Sequence, residues 1–218
     1  MRPTPPPQVT PEMLLRAYAM GIFPMAEGRG SDEIHWVDPK KRGVFPLDRF
    51  VVSRSLSRSI GRGDYRLTVD VDFAGVVDHC ANRPETWIND EIRALYLLLH
   101  KAGHAHSVEV RAHDDSLVGG VYGVTLGAAF FGESMFSGRT DASKVALAWL
   151  VHRLRAGGFT LFDTQFLTPH LASLGAVEIS RAEYHRRLEA ALLSTATFTP
   201  PGYSPFAYSV RQRSTQTS

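Results

Sequence analysis

Asp163 and Gln165 are two polar residues set among Leu161, Phe162, Phe166 and Leu167. On an extended strand, residues i and i+2 share a face, so this spacing predicts a carboxylate beside a carboxamide in apolar surroundings. That placement is costly unless the pair is hydrogen-bonded or used, which leaves a structural pair and a catalytic pair both open. A further carboxylate, Glu133, lies in the strand-like run "AAFFGESMF", within Gly132-Glu133-Ser134. These three residues look like the start of a nucleophile elbow, Gly-x-Ser-x-Gly, which needs small neighbours because its serine sits on a strained strand-to-helix turn. Here the fifth residue is Phe136, and the next helix is expected only about seven residues after Ser134. Ser134 therefore reads as a strand or turn hydroxyl, and Glu133 becomes the group of interest.

Other chemistries find less support. Acetyl-CoA enzymes hold a pyrophosphate on free N–H groups at a helix N-terminus, whereas "SMFSGRTDAS" has one glycine and puts Asp141 where the anion would sit. His100, His104 and His106 lack an accompanying Cys or HExxH pattern, so no metal site is expected. His113, His152, His170 and His185 are scattered and read as surface or packing residues. Cys80, the single cysteine, reads as a small core residue that cannot form an intramolecular disulfide.

The elements that must position these groups can be followed along the chain. Thr10-Pro11-Glu12 opens a helix whose stripe is Leu14, Leu15 and Tyr18 and which Gly21 ends. The Pro- and Gly-rich stretch that follows completes a small N-terminal unit, residues 1–48. Ser53 is expected to cap a short helix carrying Leu56 and Ile60, with Arg54 and Arg58 on one face and Arg62 just beyond its end. "YRLTVDV" alternates as a strand, and Asp72 caps the next helix. Residues 90 to 102 form another, with Ile92, Leu95, Tyr96 and Leu99 on its buried side. From His106 the period becomes two, predicting three antiparallel strands in a meander. Asp141 should cap a helix striped by Leu147, Leu150, Val151 and Leu154. A strand, a short helix from Thr168 to Leu174, the strand "AVEI" and a helix opened by the capping box Ser180 to Glu183 follow. The order predicts an α+β domain over residues 49–200, a mostly antiparallel sheet flanked by helices as in the acetyltransferase-like (GNAT) fold, and an irregular tail over 201–218.

Composition is that of a soluble protein. The 218 residues are 44% apolar and 21% charged, with no apolar run long enough to cross a membrane. The start "MRPTPPPQVTP" has no apolar signal core, which together with the lone cysteine favours the cytoplasm. The formal net charge is only +2, yet residues 40 to 66 carry eight basic side chains against Asp48 and Asp64. Lys40, Lys41, Arg42, Arg54, Arg58 and Arg62 in that block could meet a polyanion, since such side chains displace counterions from phosphates; a solvated basic face is the other reading.

Nine ordered segments, "AYAMGIFPM", "HWVDP", "TWI", "GHAHSVEV", "LVGGVYGV", "FFGESMFS", "DASKVAL", "DTQ" and "HLASLGAVEI", resemble the bacterial leucyl/phenylalanyl-tRNA–protein transferases over roughly Leu14 to Ile179. The resemblance implies transfer of Leu or Phe, with some Met, from aminoacyl-tRNA to proteins beginning with Arg or Lys, marking them for degradation through the N-end rule. It implies a GNAT-like domain without acetyl-CoA, aminoacyl-tRNA serving as co-substrate, and a monomer is the expected state. Gln165 and Asp163 match the family's catalytic pair, and Glu133 the carboxylate that meets the acceptor's basic end. Val121, Phe130, Leu147, Leu150, Leu154 and Phe162 fall at positions resembling its aminoacyl pocket, and Trp87 matches a tryptophan near the terminal adenosine. Met25 replaces a second tryptophan, and a Gly-Gly-Asp-Leu-Ser segment common in the family's longer N-terminus is absent. The basic block then has the tRNA acceptor stem as its partner. In the chemistry expected, Gln165 aligns the amine while Asp163 accepts an N–H from the carboxamide. Rival readings are a peptidoglycan-bridge aminoacyltransferase of related fold and a catalytically silent tRNA-binding module.

Overall fold

The computed structural model describes residues 9–31 and 33–203. Most of the predicted tail, 204–218, lies outside the described residues, as do residues 1–8. Seven helices and nine strands are present among those described: α1 (Pro11–Ala19), β1 (Phe23–Ala26), β2 (Ile34–Val37), β3 (Lys41–Val44), α2 (Arg54–Arg62), β4 (Arg66–Val69), α3 (Phe73–Ala81), α4 (Asp90–Lys101), β5 (Ala105–Arg111), β6 (Leu117–Leu126), β7 (Ala129–Ser137), α5 (Ala142–Ala156), β8 (Leu161–Gln165), α6 (Pro169–Ser173), β9 (Val177–Ser180) and α7 (Arg181–Leu192).

The helix starts form as their local chemistry predicts. Thr10, Ser53, Asp72, Asn89, Thr168 and Ser180 each accept the backbone N–H three residues on, at 2.8 to 3.3 Å, satisfying a donor the helix cannot. Two predictions need correction. Asp141 precedes α5 in the left-handed region, at φ 61°, and makes no side-chain cap; its carboxylate takes Lys144 Nζ at 2.9 Å and Ser59 Oγ at 3.2 Å instead. At α7, Glu183 turns to Arg186 and Arg187 rather than back to Ser180, so half of the capping box forms. Arg62 is the last residue of α2 rather than lying beyond it.

The strands make a two-stranded sheet, β1-β2, and a seven-stranded sheet in the order β4-β5-β6-β7-β8-β3-β9. The meander β5-β6-β7 is antiparallel as predicted, and α5 crosses over to lay β8 parallel to β7. One strand goes unannounced by the sequence: β3, which precedes the expected boundary at residue 48, inserts between β8 and β9. Its close approach to β8 requires Gly43, where a Cβ would lie 2.7 Å from the Phe166 carbonyl carbon.

Alternating residues send side chains to two cores. One face carries Tyr122, Val124 and Phe131 against α1, α3, α4 and α7. The other carries Val121, Phe130 and Phe162 against α2 and α5. Consecutive residues such as Phe130 and Phe131, or Phe162 and Asp163, therefore face opposite sides.

Candidate active site

The parallel pairing of β7 and β8 is short, ending at Phe131 opposite Asp163, although β7 continues to Ser137. Glu133 and Gln165 lie just past the last pair, on either side of the split. Glu133 is also the extra residue of a β-bulge, because Gly123 faces Gly132 and Tyr122 faces Ser134, leaving it no partner on β6. A bulge re-aims one side chain, and here it turns Glu133 toward α1 and α4. Gly123 permits this, since a Cβ there would meet the Phe131 carbonyl oxygen at 2.2 Å. Gly123→Ala is expected to cost about 1 to 3 kcal/mol in a urea melt; an unchanged midpoint would show that the bulge tolerates a side chain.

Glu133 is 7% exposed and fully engaged. Tyr18 donates to Oε1 at 2.7 Å, Tyr96 to Oε2 at 2.7 Å, and the Gln165 carboxamide Nε2 to Oε2 at 3.0 Å. The two phenol oxygens are themselves 2.9 Å apart. Burial pushes the Glu133 pKa up to about 7, against the pull of its three donors and helped by the charge of Asp163. Burial likewise raises both phenols, which stay neutral donors.

Behind this group lies a second. Asp163, with no exposed surface, accepts Arg42 Nε at 2.9 Å and Gln165 backbone N–H at 2.8 Å on Oδ1. Its Oδ2 accepts Arg42 Nη2 at 2.6 Å and Tyr184 hydroxyl at 2.8 Å. Arg42 also donates to the Gly21 carbonyl at 2.9 Å and lies between the Phe23 and Tyr184 rings. Gln165 bridges the two groups, its backbone tied to Asp163 and its side chain to Glu133. It does so at φ 62°, a conformation unfavourable for a residue with a Cβ and held here by both bonds.

Across the sheet, Val121, Phe130, Leu147, Leu150, Leu154 and Phe162 all belong to one buried apolar cluster, with the Phe130 and Phe162 rings edge to face at 5.4 Å. Trp87 packs edge-on against Tyr96 at 6.4 Å. Ala26 N–H donates to the Trp87 carbonyl at 3.3 Å, so Met25 on β1 is joined to the same neighbourhood. The split thus separates an apolar face from a face of carboxylates.

A family model described as leucyl/phenylalanyl-tRNA protein transferase matches residues 44–189, and one for that family's N-terminal domain matches residues 8–40. The chain belongs to the leucyl/phenylalanyl-tRNA protein transferase family. A leucyl/phenylalanyl-tRNA–protein transferase of Cereibacter sphaeroides is 70% identical over 98% of this chain and 99% of its own length. One of Ruegeria pomeroyi is 65% identical over 95% and 98%. Membership makes the protein an aminoacyltransferase. Among solved structures, FemX superposes with a TM-score of 0.53 at 12% identity, covering 77% of this chain and 66% of that one, a likeness of fold that agrees with the GNAT-like reading.

In this transferase the sequence places several site residues correctly and misassigns others. Lys40, Lys41, Arg54, Arg58 and Arg62 are exposed, with Lys41 paired to Glu178 and Arg62 to Asp64. Arg42 is not part of that surface: it is 1% exposed and its fork is closed on Asp163, which removes it from the phosphate-binding set. Asp163 holds the backbone of Gln165 rather than its carboxamide; Glu133 holds the carboxamide. Arg42, Tyr18, Tyr96 and Tyr184 are missed by sequence reasoning. The phenols sit in apolar stripes, where the signal available was that a buried Tyr hydroxyl demands a partner.

Proposed function

We propose that this transferase moves Leu or Phe, and Met less well, from aminoacyl-tRNA to the α-amino group of proteins beginning with Arg or Lys, marking them for degradation through the N-end rule in the cytoplasm. The observation that carries the reading is the split between β7 and β8, with an apolar cluster on one face and Glu133 on the other. The apolar face suits the transferred side chain, and its discrimination is limited to about 1 to 3 kcal/mol per methylene, hence some Met. Glu133 suits a guanidinium or ammonium through a charge-assisted hydrogen bond. Trp87, with Met25 nearby, would meet the terminal adenosine, while Lys40, Lys41, Arg54, Arg58 and Arg62 follow the acceptor stem through its phosphates and shape. Neither acetyl-CoA nor a metal takes part in this scheme, and the enzyme acts as a monomer.

The ester of aminoacyl-tRNA is already activated, and an α-amino group has a pKa of about 8, so much of the task is orientation. With Nε2 of Gln165 held by Glu133, Oε1 remains to accept a hydrogen bond from the incoming amine. The amine attacks the ester carbonyl, the new C–N bond forms as the ribose C–O bond breaks, and the ribose oxygen ends with the proton. Asp163, saturated by donors, would act as a positioning residue through Gln165 rather than at the reacting atoms.

Purified protein supplied with radiolabelled Leu-, Phe- and Arg-tRNA and peptides beginning with Arg, Lys or Asp tests the reading. Label should pass from Leu- and Phe-tRNA to the Arg and Lys peptides only, and an acetylated N-terminus should block it. Transfer to the acetylated peptide would mean a side-chain acceptor and would refute the proposal. Glu133→Gln should raise the KM for Arg peptides by about 10-fold or more, the value of a hydrogen bond to a charged group, with the KM for tRNA unmoved. Arg54→Ala/Arg58→Ala should weaken tRNA binding and flatten the slope of log affinity against log salt by about 2; an unaltered slope would remove α2 from the interface.

A further inference from the structure

Glu133, Tyr18 and Tyr96 form three oxygen–oxygen contacts: Oε1 to Tyr18 at 2.7 Å, Tyr18 to Tyr96 at 2.9 Å, and Tyr96 to Oε2 at 2.7 Å. Each is a hydrogen-bond distance and each needs one proton. The two neutral phenols supply two. With Glu133 ionised, one contact must be two lone pairs facing each other at close range. With Glu133 protonated there are three protons for three contacts: Oε1–H to Tyr18, Tyr18 O–H to Tyr96, Tyr96 O–H to Oε2. Oε2 is then the carbonyl oxygen, and it is the atom that also accepts Gln165 Nε2.

The surroundings agree. The titratable and charged groups facing Glu133 are Tyr18 from α1, Tyr96 from α4, Tyr122 from β6 and Asp163 from β8, with Arg42 of β3 and Tyr184 of α7 beyond Asp163. Arg83 of α3 is engaged by Ser134 and the Met135 carbonyl. The nearest cation, Arg42, is committed to Asp163, and no cation among the described residues forms an ion pair with Glu133. A buried carboxylate without a counter-ion favours its neutral form.

We infer that the free enzyme holds Glu133 as a neutral acid whose proton closes a ring of hydrogen bonds with Tyr18 and Tyr96, and that seating the cationic end of an acceptor expels this proton. The second half rests on the proposed role of Glu133 in reading that end. In the exchange the carboxyl O–H bond breaks, the proton passes to solvent, and a guanidinium or ammonium N–H takes its place as the missing donor. The resting site thus avoids burying a lone charge, and a first residue without a cation cannot displace the proton.

Difference infrared spectra of the free enzyme between about pH 5.5 and about pH 9 test the first half, since a pKa of about 7 is crossed in that window. A protonated-carboxyl carbonyl band should be present at the lower pH, vanish at the higher, and be missing from Glu133→Gln. Glu133→Gln should fold normally, because a carboxamide reproduces the neutral ring, donating to Tyr18 and accepting from Tyr96. Absence of the band in the wild type overturns the inference. Titration calorimetry with an Arg-initiated peptide, in buffers of differing ionisation enthalpy, tests the second half. About one proton should be released per peptide near pH 6 and almost none near pH 9. Binding without proton release overturns the coupling, whereas no dependence of binding on Glu133→Gln would instead overturn the proposed acceptor site.

Discussion

Arg42→Met is expected to lower folding stability by about 3 to 5 kcal/mol, the usual result of removing one partner from a buried ion pair, and hence the melting temperature by roughly 10 °C. Asp163 has no exposed surface and would keep only Tyr184 and the Gln165 N–H as donors. The Gly21 carbonyl would lose its donor, and the Phe23 and Tyr184 rings would lose the guanidinium between them. Arg42→Lys should be nearly as harmful, because an ammonium cannot reproduce two parallel bonds to one carboxylate. Removing both charges in Arg42→Met/Asp163→Leu should recover part of the stability, since an uncompensated charge is the larger penalty. It should not recover activity, because the Gln165 backbone would still lack its acceptor. Urea unfolding decides the matter: a variant of full stability that has lost only tRNA affinity would return Arg42 to the surface set.

Arg42 also marks what a sequence withholds. Counting charges treats every Lys and Arg between 40 and 66 alike, but burial of one of them is decided by Asp163, 121 positions later. The strand that carries it, Lys41–Val44, is four residues long and shows no alternation, so nothing local distinguishes it from the loop around it. Helix starts lie at the other extreme, because a cap is one hydrogen bond spanning three residues and its chemistry is printed in order. The pocket-facing pattern of Phe130, Leu147, Leu150 and Phe162 was legible for a similar reason, period two or period 3.6 running without interruption. Glu133 was identified as important from its matched motif, yet its direction was not, because a bulge breaks the period at that residue. Tyr18 and Tyr96 counted as apolar stripe members, and only a structure shows that both hydroxyls end on one carboxylate. The Asp163 and Gln165 pair was read as sharing a strand face. It is joined instead through the backbone, since Gln165 leaves the strand at positive φ.

That departure from the strand makes Gln165 the place where rate can be separated from fold. Gln165→Ala is expected to lower kcat/KM by about 10²-fold, the loss that accompanies misplacement of a reacting group by about 1 Å, with tRNA binding preserved. Gln165→Gly sharpens the test. Relief of left-handed strain is worth about 1 to 2 kcal/mol, which offsets about 1 kcal/mol for the lost bond to Glu133. The glycine variant should therefore melt near the wild type while remaining as slow as the alanine variant. Gln165→Glu puts another carboxyl beside Glu133, and two such groups cannot both ionise at that distance without mutual repulsion. Its activity should fall as pH rises, whereas that of the wild type should rise with deprotonation of the acceptor amine near pH 8. Should Gln165→Glu be fully active at every pH, and Gln165→Ala weaken only acceptor binding, the amine would be aligned by some other group.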